Sequence, residues 1–231
     1  MGMHIARTSD DKAVRRARWV KLAAVAIGFT AGVAGLARNA HAVIIVAGQA
    51  ATPTGSGTFS GTLLNDTGAE NFVGTGVGGG IVFLGTFDSQ VYKDSTTGDL
   101  DFVYQISNNL TSIDSIESLT SGGFAPFTTD ADYVPATGVA IPTTVTRNGS
   151  GNNVGFDFTG VAAIAPGTTT DLLVVKTDAS SYTTGFAVVQ DGGNGSAAEF
   201  VPAVPEPTTA ALAGLATMGL AIRRRRSNRT R

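Results

Sequence analysis

Leu100-Asp101-Phe102-Val103-Tyr104-Gln105-Ile106 sets large apolar side chains at every second position, so Leu100, Phe102, Tyr104 and Ile106 share one face. A period of two belongs to an extended strand, whose successive side chains point to opposite sides. Val154, Phe156 and Phe158 repeat the pattern in NVGFDF. Outward from these, residues 57–63, 80–93, 143–147, 171–177, 183–190 and 197–201 are rich in Val, Ile, Thr and Phe and read as further strands. Turn chemistry separates them. Asp94-Ser-Thr-Thr-Gly98-Asp99 stands between two strand patterns as a hairpin loop would, and Asn148-Gly149, Asp191-Gly192-Gly193 and Asn194-Gly195 are further turn signals. Many short strands at such spacing predict an all-β domain, a β-sandwich with its inner faces packed together. Leu110, Ile113, Ile116 and Leu119 recur every third residue, which suits a short helix or an irregular crossing between sheets.

The charges are segregated along the chain. Seven Lys/Arg lie between Met1 and Ala42 and six arginines between Val204 and Arg231, whereas 43–203 holds only Lys93, Arg147 and Lys176. With fifteen acids, that middle stretch carries a balance of −12. An acidic body between basic ends is the pattern that membrane targeting produces, because positive charge stays on the cytoplasmic side. It also excludes nucleic acid as a partner, which demands clustered Lys and Arg against phosphate. There is no cysteine. A domain of this size buries enough apolar surface to stand without disulfides.

The N-terminus reads as a signal peptide over 1–42. Arg15, Arg16, Arg18 and Lys21 precede the apolar run Leu22–Ala37, and Ala40-His41-Ala42 supplies small residues where a signal peptidase needs them. Cleavage is expected between Ala42 and Val43; the alternative is a retained N-terminal anchor. At the other end, Val204-Pro205-Glu206-Pro207 is followed by fifteen uncharged residues, Thr208 to Ile222, and then by Arg223, Arg224, Arg225 and Arg226. Pro207 suits the first turn of a helix. Fifteen helical residues rise about 22 Å against a hydrocarbon core of about 30 Å, so a span needs snorkelling arginines and a thinned bilayer. The arginine block would stay cytoplasmic and the acidic body would face outward. The expected organisation is a signal peptide (1–42), a β-sandwich ectodomain (43–203) and a tail (204–231). Within the tail, 204–207 is a motif, 208–222 a membrane helix and 223–231 a basic cluster.

This tail resembles the PEP-CTERM sorting signal of Gram-negative bacteria in order, spacing and identity. The resemblance implies recognition by an exosortase, a membrane-embedded cysteine protease or transpeptidase encoded alongside exopolysaccharide genes. Pro205, Glu206 and Pro207 would then be substrate residues and not catalysts. It implies an exported protein held at the inner membrane by its C-terminal helix and then displayed or released, with exopolysaccharide as a further partner. The runs DLDFVYQISNN (99–109), GGFAPFTTDADY (122–133) and LLVVKTDASSYTTGFAVVQDG (172–192) are similar to the β-rich ectodomains that precede such tails. That similarity carries no activity with it.

Catalytic machinery is sparse. His4 and His41 both precede the expected cleavage point, so the mature body would lack histidine and cysteine. That removes Ser-His-Asp and Cys-His nucleophiles and the usual zinc ligands. Paired carboxylates remain as a route to glycoside hydrolysis, but Glu70, Glu117 and Glu199 stand in no motif. Gly74-Thr-Gly76-Val-Gly78-Gly79 satisfies G-x-G-x-x-G yet runs into the strand-like Ile81-Val82-Phe83-Leu84, so it reads as a glycine-rich turn. Asp94, Asp99 and Asp101, and Asp130 with Asp132, are oxygen donors of the kind calcium takes. Their order is not that of a calcium loop, and turn roles explain them, so no metal site and no cofactor is assigned. The only tryptophan, Trp19, lies in the signal peptide, and Tyr104 reads as core. The expectation is a non-enzymatic structural protein of the matrix or envelope. The alternatives are a glycan-binding or adhesive module and, behind it, a carboxylate-dependent hydrolase.

Overall fold

The computed structural model describes residues 43–136, 138 and 140–204. The strands are β1 (Val43–Ile44), β2 (Ala50–Ala51), β3 (Thr62–Asp66), β4 (Glu70–Gly76), β5 (Ile81–Lys93), β6 (Leu100–Asn108), β7 (Ser118–Ser121), β8 (Thr129–Val134), β9 (Thr144–Arg147), β10 (Val154–Asp157), β11 (Leu172–Thr177), β12 (Tyr182–Gln190) and β13 (Gly193–Pro202). Gly160–Ala162 adds one turn of 3-10 helix. Among the described residues, no helix is long and apolar enough to cross a membrane. Ala40, Ala42, Pro205, Glu206, Pro207, the expected helix 208–222 and Arg223–Arg226 lie outside the described residues.

All thirteen strands join one sheet, in the order β1-β8-β11-β6-β5-β4-β13-β12-β7-β10-β9-β2, with β3 paired to β5. The all-β expectation holds, but two separate sheets do not form. A single antiparallel sheet curls until its halves face one another. Contacts across the gap show this: the Tyr104 hydroxyl on β6 donates to the Phe200 carbonyl on β13 (3.0 Å), and the Phe200 N–H donates to Ser89 Oγ on β5 (2.9 Å). Phe102 meets Phe124 edge-on at 6.1 Å. The core between the halves contains Phe83, Phe87, Phe102, Tyr104, Ile106, Leu119, Phe156 and Val189.

The curl turns where β4, β5 and β13 converge, and it requires glycine there. A Cβ on Gly74 would collide with the Phe83 ring, and one on Gly193 would lie 2.6 Å from the Thr75 carbonyl. Gly74-Thr-Gly76-Val-Gly78-Gly79 is therefore a strand end and hairpin turn, as read from the sequence, with Gly78 and Gly79 at φ 96° and 83°. The Asp94–Asp99 loop joins β5 to β6, and the Asp94 carboxylate accepts the N–H groups of Thr96 (2.7 Å) and Thr97 (3.0 Å).

Leu100, Phe102, Tyr104 and Ile106 are all buried, as their alternation predicts. Asp101 and Val103, on the opposite face, are buried too. Their cover is the segment between β2 and β3. Thr54, Gly55 and Ser56 bond to the Asp132 carboxylate on β8, and the Phe59 ring lies 4.8 Å from Tyr92 on β5. Between these anchors lie β11 and β6, so the strap passes over Val174 and Val103. A second tie closes the sheet's ends. β1 pairs with β8 and β2 with β9, so one N-terminal segment joins both edges. The Arg147 guanidinium holds it by donating to the carbonyls of Gly151, Ile45, Phe124 and Phe127 (2.7–3.1 Å).

Several expectations are corrected. The strand expected over 57–63 begins only at Thr62, because Gly57 and Phe59 belong to the strap. Asn194-Gly195 lies inside β13 and is no turn, since the Asp191–Gly192 hairpin has already reversed the chain. Asp130 and Asp132, read from the sequence as turn residues, lie within strand β8. The Leu110–Leu119 periodicity is an irregular crossing between the sheet halves: Ile116 and Leu119 are buried, whereas Leu110 and Ile113 are exposed. Val201 and Pro202, despite their linker-like composition, complete β13 and are buried.

Candidate functional site

The described body ends with β13 paired to β12 along its whole length, from Gln190↔Asn194 to Tyr182↔Pro202. One residue further, the Ala203 N–H donates to the Ser181 carbonyl (2.9 Å), and the Ser181 hydroxyl donates to the Ala203 carbonyl (3.2 Å). The Tyr182 ring meets Phe200 edge-on at 5.5 Å. Val204, the first residue of the expected motif 204–207, follows at once and is half exposed. No linker separates the sheet from the motif. Alternating apolar and small residues make β12 and β13 pair, and nothing in the local sequence marks Ser181 as the residue that fastens their end.

The other end of the body is close by. Ala179 accepts the Leu100 N–H, the Thr177 hydroxyl donates to the Leu100 carbonyl, Thr177 pairs with Thr129, and Ile45 donates to the Thr129 carbonyl. Val43, the expected first mature residue, sits in β1 beside Ala131. Entry to and exit from the sheet therefore share one end of the body. The 76–81 hairpin, the 109–117 crossing and the Asp191–Gly192 turn lie at the opposite end.

The carboxylates divide into small groups with separate tasks. Lys176 Nζ lies 3.4 Å from both Asp94 Oδ2 and Asp101 Oδ2. Burial raises the Asp101 carboxyl to about 6 although Lys176 opposes it. Asp94 is lowered, chiefly by the Thr97 N–H. Burial also raises Asp88 to about 6, with Asp66 adding a hydrogen bond and a like charge. Two carboxyls this close disfavour carrying both charges at once, as catalytic carboxylate pairs do. Here the pair lies on a strand face, where Gln90 Nε2 bonds Asp66 at 3.0 Å and the Tyr92 hydroxyl bonds Gln90. Asp132 is committed to the strap. Burial pushes it up, but the Thr54 hydroxyl and the N–H groups of Tyr133, Gly55 and Thr54 outweigh that and lower it.

Glu199 is the residue whose importance was least visible in the sequence. Its side chain is 1% exposed inside the core, near Tyr104 and Ser121, and burial raises it to about 8. Its Oε1 receives a long contact from the Gly122 N–H (3.4 Å), the Ser121 side chain opposes the rise by hydrogen bonding, and its Oε2 has no hydrogen-bond partner.

Among the described residues, one surface groove of about 390 Å³ lies over Val73, Leu84 and Thr86, and another of about 400 Å³ lies between Ile44, Phe127 and Arg147. Neither is lined by a carboxylate. Asp94 and Asp101 come together around Lys176, and no group of three potential metal-ligating side chains occurs among the described residues.

Comparison with known proteins places one feature of the chain. Residues 203–226 match the PEP-CTERM protein-sorting motif. No curated protein and no solved structure matches the chain.

Proposed function

We propose that this is an exported protein delivered to the cell envelope by an exosortase, and that its 43–203 body is a non-enzymatic structural element of the extracellular matrix. The observation that carries the reading is the tail itself. Residues 203–226 carry the PEP-CTERM motif, and that motif begins directly at the fastened end of β13. The motif thus follows directly in sequence on the last fastened residue of the body. In this reading exosortase and signal peptidase are processing partners, and the arginines 223–226 hold the tail at the inner membrane until the body is displayed or released. The acid groups fit a structural role: Asp94 caps a turn, Asp132 anchors the strap, and Asp101 meets Lys176. Exopolysaccharide is the proposed surrounding of the displayed body.

Replacing Pro205, Glu206 and Pro207 together with alanine in the full chain tests the assignment. The variant should be exported but remain full-length in the membrane fraction, whereas the wild type reaches the surface or medium. Identical fractionation of the two proteins would contradict it.

A further inference from the structure

We infer that the end of the β12–β13 pair is a latch on tail processing: the sorting enzyme acts on the fraction of molecules in which Pro202 and Ala203 have detached from the sheet. The inference rests on the sorting reading above and adds a structural condition to it.

Peptide-processing enzymes commonly take a substrate segment as an extended strand, through its main-chain hydrogen bonds. On the body side of the motif, those groups are already engaged. Thr183 pairs with Val201 and Tyr182 with Pro202, while Ser181 takes both the N–H and the carbonyl of Ala203. Phe200, just before them, is fixed by Ser89 and Tyr104 from the opposite half of the sheet. Among the described residues, Val204 is therefore the only body-side residue of the motif region that is free of the sheet in the closed state.

Reach makes the constraint tighter. From Ala203 to Thr208, where the uncharged run begins, five extended residues cover at most about 17 Å. The headgroup layer takes up roughly 6 Å of that on one side of a bilayer. With the run 208–222 in the bilayer, as the sorting reading has it, the closed end of the body would stand within about 10 Å of the headgroups before processing. An enzyme groove must fit into that gap beside the folded sheet. Freeing Pro202 and Ala203 lengthens the accessible strand without disturbing Phe200, so opening at Ser181 and Tyr182 is the smallest change that admits it. Cleavage itself is ordinary acyl transfer. The peptide bond breaks, the tail leaves with the amine, and the acyl carbon passes to the enzyme nucleophile and then to water.

The test is pulse–chase of the full chain in its producing cells, reading conversion of the membrane-bound full-length form to the shortened form. Four variants accompany the wild type: a Gly-Ser-Gly-Ser insertion between Ala203 and Val204, Ser181→Ala, and the triple alanine replacement of Pro205, Glu206 and Pro207 with and without the insertion. The insertion should speed conversion roughly tenfold if the end is open about one-tenth of the time, because the competent fraction sets apparent affinity. Ser181→Ala should speed it about two- to threefold by the same argument. The triple variant should stay full-length with or without the insertion. Conversion of the spaced chain at the wild-type rate or slower, with the triple variant still blocked, would overturn the latch and leave the sorting reading intact. A wild type that is never shortened would overturn the sorting reading and the latch with it.

Discussion

Glu199→Gln should make the protein more stable at pH 8 than the wild type and leave it nearly unchanged at pH 5. The carboxyl of Glu199 lies within the core, and burial raises it from the ordinary 4.5 to about 8. The folded state holds the proton while the unfolded state releases it. Stability is therefore fully present below about pH 4.5, declines as pH rises, and is lost through about pH 8. At pH 7 the span from the unfolded value is about 2.5 pH units, or about 3 kcal/mol at 1.36 kcal/mol each. That is a large share of an ordinary domain's stability of about 5–15 kcal/mol. Glutamine keeps the size and cannot ionise, so this slope should vanish in the variant. Urea unfolding of both full-length proteins from pH 5 to pH 8 measures it. Asp88 and Asp101, each near 6, titrate in both proteins, so the difference between the two curves isolates Glu199. Parallel curves would refute the reasoning, and would mean that water or relaxation solvates the carboxylate.

Tyr104→Phe removes a buried hydroxyl that donates to the Phe200 carbonyl, and should lower unfolding stability by about 1–2 kcal/mol in the same assay. Arg147→Met leaves four carbonyls without their donor and should cost about 3 kcal/mol or more, with hydrogen exchange rising first at Ile45 and Phe124–Phe127. Asp132→Ala should loosen the strap, seen as faster exchange at Thr54, Gly55 and Ser56. Because the Asp132 carboxyl is lowered in the fold, the wild-type strap should also weaken as pH falls through that lowered value, and the variant should show no such dependence. Gly74→Val drives a side chain into the Phe83 ring and should destabilise by about 1–3 kcal/mol, read from the thermal midpoint.

Much of the β architecture was legible because its signals are local. The alternation at 100–106 and the loop at 94–99 define a hairpin whose register, Lys93↔Leu100 to Gly85↔Asn108, follows from the turn. What stayed hidden depends on contacts distant in sequence. β7 and β8 are short, polar and without clear alternation; they are strands because neighbours already in the sheet recruit them. The joining of all strands into one curled sheet rests on glycines at a three-strand corner, and in the sequence these resemble any flexible turn. Burial of Val103 comes from a strap anchored at Asp132, which reads as one more surface acid. The tail motif was legible at once, since its order of proline, apolar run and arginine needs no tertiary context. The flush junction was not, because Val201-Pro202-Ala203 has linker composition and is held by Ser181 and Tyr182, whose pairing only the sheet supplies.

The most direct test of the sorting account is the intact mass of the protein recovered outside the cell. The account predicts a chain whose C-terminus falls at or before Pro207, without the uncharged run 208–222 or the arginines 223–226. An extracellular protein that still carries residues 208–231 would contradict it.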